Sequence, residues 1–138
     1  MDASGFKPWI RRVILVGIVY FVVGLLFALP SSHVRGSRLA AWVVSGVVYA
    51  AHIGYEQLRL NNSPRATALR AALAVAFGAL LLAVAANVHA VMVTSHAPYW
   101  LFLLALVLWP LITAVPAFLV ALAAGNLLNR FPTKRLAD

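Results

Sequence analysis

The run YWLFLLALVLWPLITAVPAFLVALAAGNLL, residues 99–128, decides the fold class, because it contains no charged side chain. A helix needs about 20 apolar residues to cross the roughly 30 Å of hydrocarbon in a bilayer. A surface helix of a soluble domain would alternate apolar and charged faces instead. The run therefore predicts a membrane-spanning helix that is longer than the bilayer requires.

The rest of the chain has the same character. Its 138 residues are 64% hydrophobic and 10% charged, with a mean hydropathy of +0.94, whereas soluble domains are about half apolar and about a quarter charged. The absence of cysteine excludes disulfides and thiol chemistry. Apolar stretches and short loops predict a single transmembrane domain over 1–138, an all-α integral membrane protein built as a four-helix antiparallel transmembrane bundle. The predicted helices cover about 10–29, 39–57, 65–93 and 98–129.

The placement of the basic residues predicts how the chain crosses the membrane. The net charge of +8 would suggest nucleic acid in a soluble protein, but these side chains lie almost wholly between or outside the apolar runs. With both termini in the cytoplasm, nine of the eleven Lys and Arg residues lie inside and two outside, as positive-inside topology requires. We predict a multi-pass protein of a bacterial-type inner membrane, with the lipid bilayer and not nucleic acid as its surroundings.

Polar and amphipathic residues follow one another along predicted helix 2 at spacings of three and four. At 3.6 residues per turn this places them on one face, and a charge at mid-bilayer costs roughly 2.5–3.5 kcal/mol, so the face should turn away from lipid. The sequence allows an interfacial Glu56–Arg59 ion pair, a relay through Tyr49, His52 and Glu56, or a partner-binding surface. The full set is Arg35, Arg38, Trp42, Ser45, Tyr49, His52, Glu56 and Arg59, of which Ser45, Tyr49, His52, Glu56 and Arg59 form the predicted polar path or binding stripe.

Small residues and turn residues predict how the helices pack and end. Stripes of small side chains let backbones approach closely, either within the bundle or in a homo-oligomer. Ser37 is a predicted N-cap of helix 2, and Ser63 with Pro64 predicts the start of helix 3. The packing positions are Ala72, Ala76, Ala79, Ala83 and Ala86 on helix 3, and Gly17 and Gly24 on helix 1.

Two prolines interrupt helix 4. Pro110 and Pro116 would kink it and free the carbonyls of Leu106 and Ile112, with the hydroxyl of Thr113 between them to compensate. Asn87 near the end of helix 3 is expected to hydrogen-bond to another helix.

The candidate ligands for a metal or cofactor are few. His33, His89 and His96 lie on the predicted outer side and form a weak metal candidate, but no motif sets their spacing. His52 and His89 lie toward opposite ends of the bundle, which excludes a haem held between them. No metal site and no cofactor are predicted, and no catalytic residue can be assigned.

These features rank the possible functions. We expect a small polytopic membrane protein that transports or acts as a channel, and is oligomeric, rather than an enzyme. One alternative is a structural or accessory subunit of a larger membrane complex. Another is a membrane enzyme acting on a lipid or amphiphile at the cytoplasmic interface, with His52 and Glu56 as acid and base.

Overall fold

A computed structural model describes residues 7–28, 34–93 and 98–130, and almost all of them are helical. Within these ranges there is no strand, so the all-α prediction is confirmed. The last turn of α2 widens into a π-helical turn before the chain reverses into α3. The elements are α1 (Pro8–Ala28), α2 (Val34–Gly54), a π turn (Tyr55–Arg59), α3 (Pro64–Met92) and α4 (Tyr99–Arg130).

The helix boundaries follow local chemistry, with one exception. The Ser63 side chain accepts a hydrogen bond from the Ala66 backbone N at 3.3 Å, and Pro64 takes the first helical position, as predicted. Asn61 supplies the turn before it with a positive φ of 49°. The prediction for α2 was wrong at its start, because the helix begins at Val34 and Ser37 lies inside it. No proline stands between these positions to stop the helix.

Helix α3 is the centre of the bundle, and it packs extensively against both α4 and α1. Gly17 of α1 and Gly78 of α3 make the close approach possible, since a Cβ on Gly78 would lie 2.9 Å from the Gly17 carbonyl oxygen. A Cβ on Gly24 would lie 2.5 Å from Leu82. On the other side, Ala121 of α4 is fully buried. Helix α2 lies at the periphery. Helix α1 packs more extensively on α3 than on its sequence neighbour α2.

The small residues of α3 pack against α1 on one side and against α4 on the other. Ala72, Ala79 and Ala83 of the predicted stripe are buried, Ala76 is half-buried and Ala86 is exposed. The fully buried positions Ala68, Ala71 and Ala74 lie outside that stripe. A single stripe was too simple a prediction because α3 has a helix on each of two sides. Asn87 also differs from its prediction, since its side-chain nitrogen donates to the Ala83 carbonyl of its own helix at 2.7 Å.

Among the described residues, three helices are long and apolar enough to cross a membrane: Pro8–Phe27, Pro64–Met92 and Tyr99–Arg130. They are compatible with a multi-pass membrane protein. Helix α4 continues through Pro110 and Pro116 without an end. The Thr113 hydroxyl donates to the carbonyl oxygens of Trp109 and Pro110, both at 3.0 Å, rather than to the two carbonyls that the prolines were predicted to free.

Candidate functional site: a buried carboxylate and an adjoining pocket

Glu56 is the most deeply buried ionisable side chain that the structure describes, with 1% of its surface exposed. Its Oε1 accepts from Arg12 at 3.1 Å, and its Oε2 accepts from Arg70 at 2.8 Å and from Asn62 at 2.6 Å. We call these four residues, Arg12, Glu56, Asn62 and Arg70, the Glu56 clasp. A buried carboxylate requires such partners, because an uncompensated charge away from water is very costly.

The π turn and the loop after it hold Glu56 in place. Asn62 forms two hydrogen bonds to Glu56. Its side chain donates to the carboxylate, and its backbone N donates to the Glu56 carbonyl oxygen at 3.3 Å. Arg70 lies over the ring of Trp9, 5.8 Å from its centroid, a cation–π geometry. The clasp therefore joins the start of α1, the end of α2 and the start of α3.

A neighbouring contact brings α4 to the same end of the bundle. Gln57 Nε2 donates to Asn129 Oδ1 at 2.8 Å. Gly125 allows this approach, since a Cβ there would lie 3.2 Å from Gln57 Oε1 and 3.1 Å from Pro64. All four helices are thus tied together at this end, and successive helices run in opposite directions. We call it the Glu56 end.

Of the three interpretations that the sequence allowed, the Glu56–Arg59 ion pair does not form. Arg59 is exposed, and the salt bridges that Glu56 forms with described residues are those to Arg12 and Arg70. The spacing along α2 did not predict these two partners or Asn62. A usable signal was present, however. The chain has one carboxylate inside its apolar region, and antiparallel helices bring the starts of α1 and α3, both rich in arginine, to the end of α2.

A pocket of about 290 Å³ opens beside the clasp, between α1 and α2. Its walls are largely apolar and come from Val16, Val48, Ala51 and Tyr55. Arg12, His52 and Glu56 complete the lining. No residue of α3 or α4 contributes to it, so the pocket faces outward from the seam between two helices.

His52 is the residue of this lining whose polar atoms are both buried and unsatisfied. Its residue surface is 7% exposed, and neither ring nitrogen has a hydrogen-bond partner within the described residues. Neutral imidazole carries one donor and one acceptor, and buried polar groups in native proteins are nearly always satisfied. Glu56, by contrast, has both oxygens engaged, so it is poorly placed to take a proton from a substrate.

The predicted stripe on α2 divides between two surroundings. The Tyr49 hydroxyl donates to the Ala117 carbonyl oxygen of α4, and Tyr49 packs against Ile53 and its alanine neighbours. His52 and Glu56 instead line the pocket beside α1, while Ser45 is half-buried. These residues therefore do not line one continuous cavity.

The weak metal candidate gains no support from the geometry. His89 is exposed at the far end of α3, and His33 and His96 lie outside the described residues. Within 7–28, 34–93 and 98–130 no three His, Cys, Asp or Glu side chains come together in a group that could hold a metal ion.

Comparison with known proteins assigns this chain to no group. No protein-family model, no curated protein and no solved structure matches the sequence or the fold.

Proposed function

We propose that this protein is a small transporter of a bacterial-type inner membrane, with four crossings and both termini in the cytoplasm. Under this proposal the Glu56 end faces the cytoplasm, in agreement with the excess of basic residues there. Helix α2 is less apolar than the three helices named above, and the proposal makes it the fourth crossing because its 21 residues extend about 31 Å at about 1.5 Å per residue.

The observation that carries the proposal is His52, buried and without a hydrogen-bond partner, beside the pocket between α1 and α2. A polar side chain left unsatisfied within a membrane-spanning region is costly, and such residues mark substrate or ion pathways. A substrate group in the pocket would satisfy it.

The looser packing of α2 supports the proposal that this helix moves during transport. Helices α1, α3 and α4 pack closely through small residues, whereas α2 has fewer neighbours. On its outer half Leu39, Trp42, Val43 and Val47 are all more than 60% exposed. The clasp anchors the other end of α2. We infer that α2 tilts about the Glu56 clasp, and that the hydrogen bond from Tyr49 to α4 belongs to the state in which the path is closed.

Cysteine labelling tests the proposal without a known substrate, because the chain has no native cysteine. Single variants Ser45→Cys and His52→Cys are placed in membrane vesicles of either orientation and treated with a charged, membrane-impermeant thiol reagent. A transport path admits water, so we expect both thiols to react, each from the side of the membrane nearer to it.

Val47→Cys is the matched control. Val47 lies on the same helix but is 64% exposed on the outer surface of the bundle, where lipid excludes a charged reagent. If the thiols at 45 and 52 react no faster than the one at 47, α2 has no water path and the transport proposal is wrong. The protein would then fit the accessory-subunit alternative better. The predicted homo-oligomer or larger membrane partner remains a prediction.

A further inference from the structure

Resting on the proposed function, we propose that the pocket between α1 and α2 binds a membrane amphiphile whose anionic head group is held by Arg12 and His52. Its apolar chain lies against Val16, Val48 and Ala51. The proposal gives the transporter a substrate class: lipid-like molecules that enter sideways from the leaflet at the Glu56 end.

The charge of the Glu56 clasp favours an anion. Arg12 and Arg70 contribute two positive charges, and Glu56 contributes one negative charge, so the group is one positive charge in excess. Arg70 is further engaged by Trp9. Arg12 lines the pocket and is 32% exposed in its side chain, so the excess charge can act on a molecule bound there.

Arg12 and His52 also have hydrogen-bonding capacity to spare. A guanidinium carries five N–H donors, and Arg12 uses one nitrogen for Glu56, with no other acceptor among the described residues. His52 adds a buried donor that is likewise unsatisfied within the described part of the chain. Two donors of this kind suit the oxygens of a phosphate or carboxylate, to which arginine binds with charge-assisted hydrogen bonds.

The polarity of the pocket changes with depth in the way an amphiphile requires. Arg12 and Glu56 lie at the Glu56 end, and Val16 lies one turn further along α1, about 6 Å away at about 1.5 Å per residue. Val48 lies about 12 Å from Glu56 along α2 by the same rule. With about 290 Å³ the pocket is near the small end of the roughly 300–1,000 Å³ range of ligand sites. It therefore holds a head group and the upper part of a chain. Basic pockets between helices on the cytoplasmic side are known to take anionic lipid head groups.

Native mass spectrometry of the full chain tests this assignment. The protein is mixed in detergent with equal amounts of phosphatidylglycerol, which is anionic, and phosphatidylcholine, which has no net charge. We expect one phosphatidylglycerol per chain to be retained with about tenfold preference, the factor that about 1.4 kcal/mol supplies.

Two variants alter the pocket without touching the clasp. Val48→Trp fills it and His52→Leu removes the free donor, so each should abolish the preference. Val47→Trp places the same side chain one residue away on the outer surface and should keep it. Thermal unfolding of all three variants checks that they remain folded. Equal retention by Val48→Trp and Val47→Trp would show that the lipid binds elsewhere on the surface and would overturn the proposal.

A free anion could bind Arg12 and His52 in place of a lipid head group, because it carries the same kind of oxygens. Millimolar inorganic phosphate is added to the mixture, and the lipid should stay bound because its chain contributes apolar contacts. Displacement of the lipid by phosphate alone would overturn the amphiphile assignment. The two proposals can fail separately: unreactive thiols at 45 and 52 with intact lipid retention refute transport only, whereas retention unaffected by Val48→Trp refutes the lipid site only.

Discussion

Replacing Glu56 by glutamine should destabilise the bundle although it keeps the size of the side chain. Glutamine keeps the shape of the side chain but offers one carbonyl oxygen and two N–H donors. If its oxygen takes the place of Oε2, Asn62 and Arg70 keep their acceptor, and Arg12 then faces a donor. One charge-assisted hydrogen bond is lost, worth about 1.5–3 kcal/mol, and two guanidinium groups lose their counter-charge.

The partial exposure of the two arginines reduces the expected loss of stability. Removing one partner of a fully buried ion pair costs about 3–5 kcal/mol. The side chains of Arg12 and Arg70 are 32% and 22% exposed, so both recover part of their hydration. We therefore expect Glu56→Gln to lower the free energy of unfolding by about 2–3 kcal/mol.

Equilibrium unfolding in mixed micelles with increasing SDS, followed by tryptophan fluorescence, measures this loss. Arg59→Gln is the control, because Arg59 is exposed and surface substitutions usually stay within about 0.5 kcal/mol. A double-mutant cycle with Arg12→Gln should show coupling to Glu56. The same cycle with Arg11→Gln should show none, because Arg11 is the exposed neighbour of Arg12 on α1 and forms no salt bridge to Glu56. Equal stability of Glu56→Gln and Arg59→Gln would refute the reasoning that the clasp holds this end together.

Two further changes test the packing by the same unfolding measurement. Gly78→Ala puts a Cβ 2.9 Å from the backbone of α1 and should cost about 1–3 kcal/mol by overpacking. Gly46→Ala meets nothing within 4 Å and should be neutral or add up to about 1 kcal/mol through helix propensity; the reverse order would contradict the α1–α3 contact. Tyr49→Phe removes the hydrogen bond to Ala117 and should cost about 0.5–1.5 kcal/mol. Tyr55→Phe, at a tyrosine that is 52% exposed, should cost nothing, and equal losses in the two variants would argue against the Tyr49 contact.

The candidate site was only partly predictable. Spacing along α2 predicted that His52 and Glu56 turn away from the surroundings of the bundle, and both are buried. The same spacing could not show that Tyr49 contacts a different helix from His52 and Glu56, because one face of α2 packs against more than one neighbouring helix. Tyr49 reaches α4 while His52 and Glu56 lie beside α1, and the π turn at Tyr55–Arg59 changes the helix geometry at Glu56.

The sequence by itself determined that the chain is helical, where most helices begin and end, and where the charges fall along it. Those properties depend on hydropathy and on hydrogen bonds between residues close in sequence, as at Ser63 and Ala66. Only the tertiary structure decided that α3 is central and that Glu56 pairs with Arg12 and Arg70, which lie 44 residues before it and 14 after it. Several arginines were available at the same end of the bundle, and the choice among them depends on how closely the backbones approach. The Gly17–Gly78 contact sets that approach between α1 and α3, far along the chain from the carboxylate whose partners it brings together.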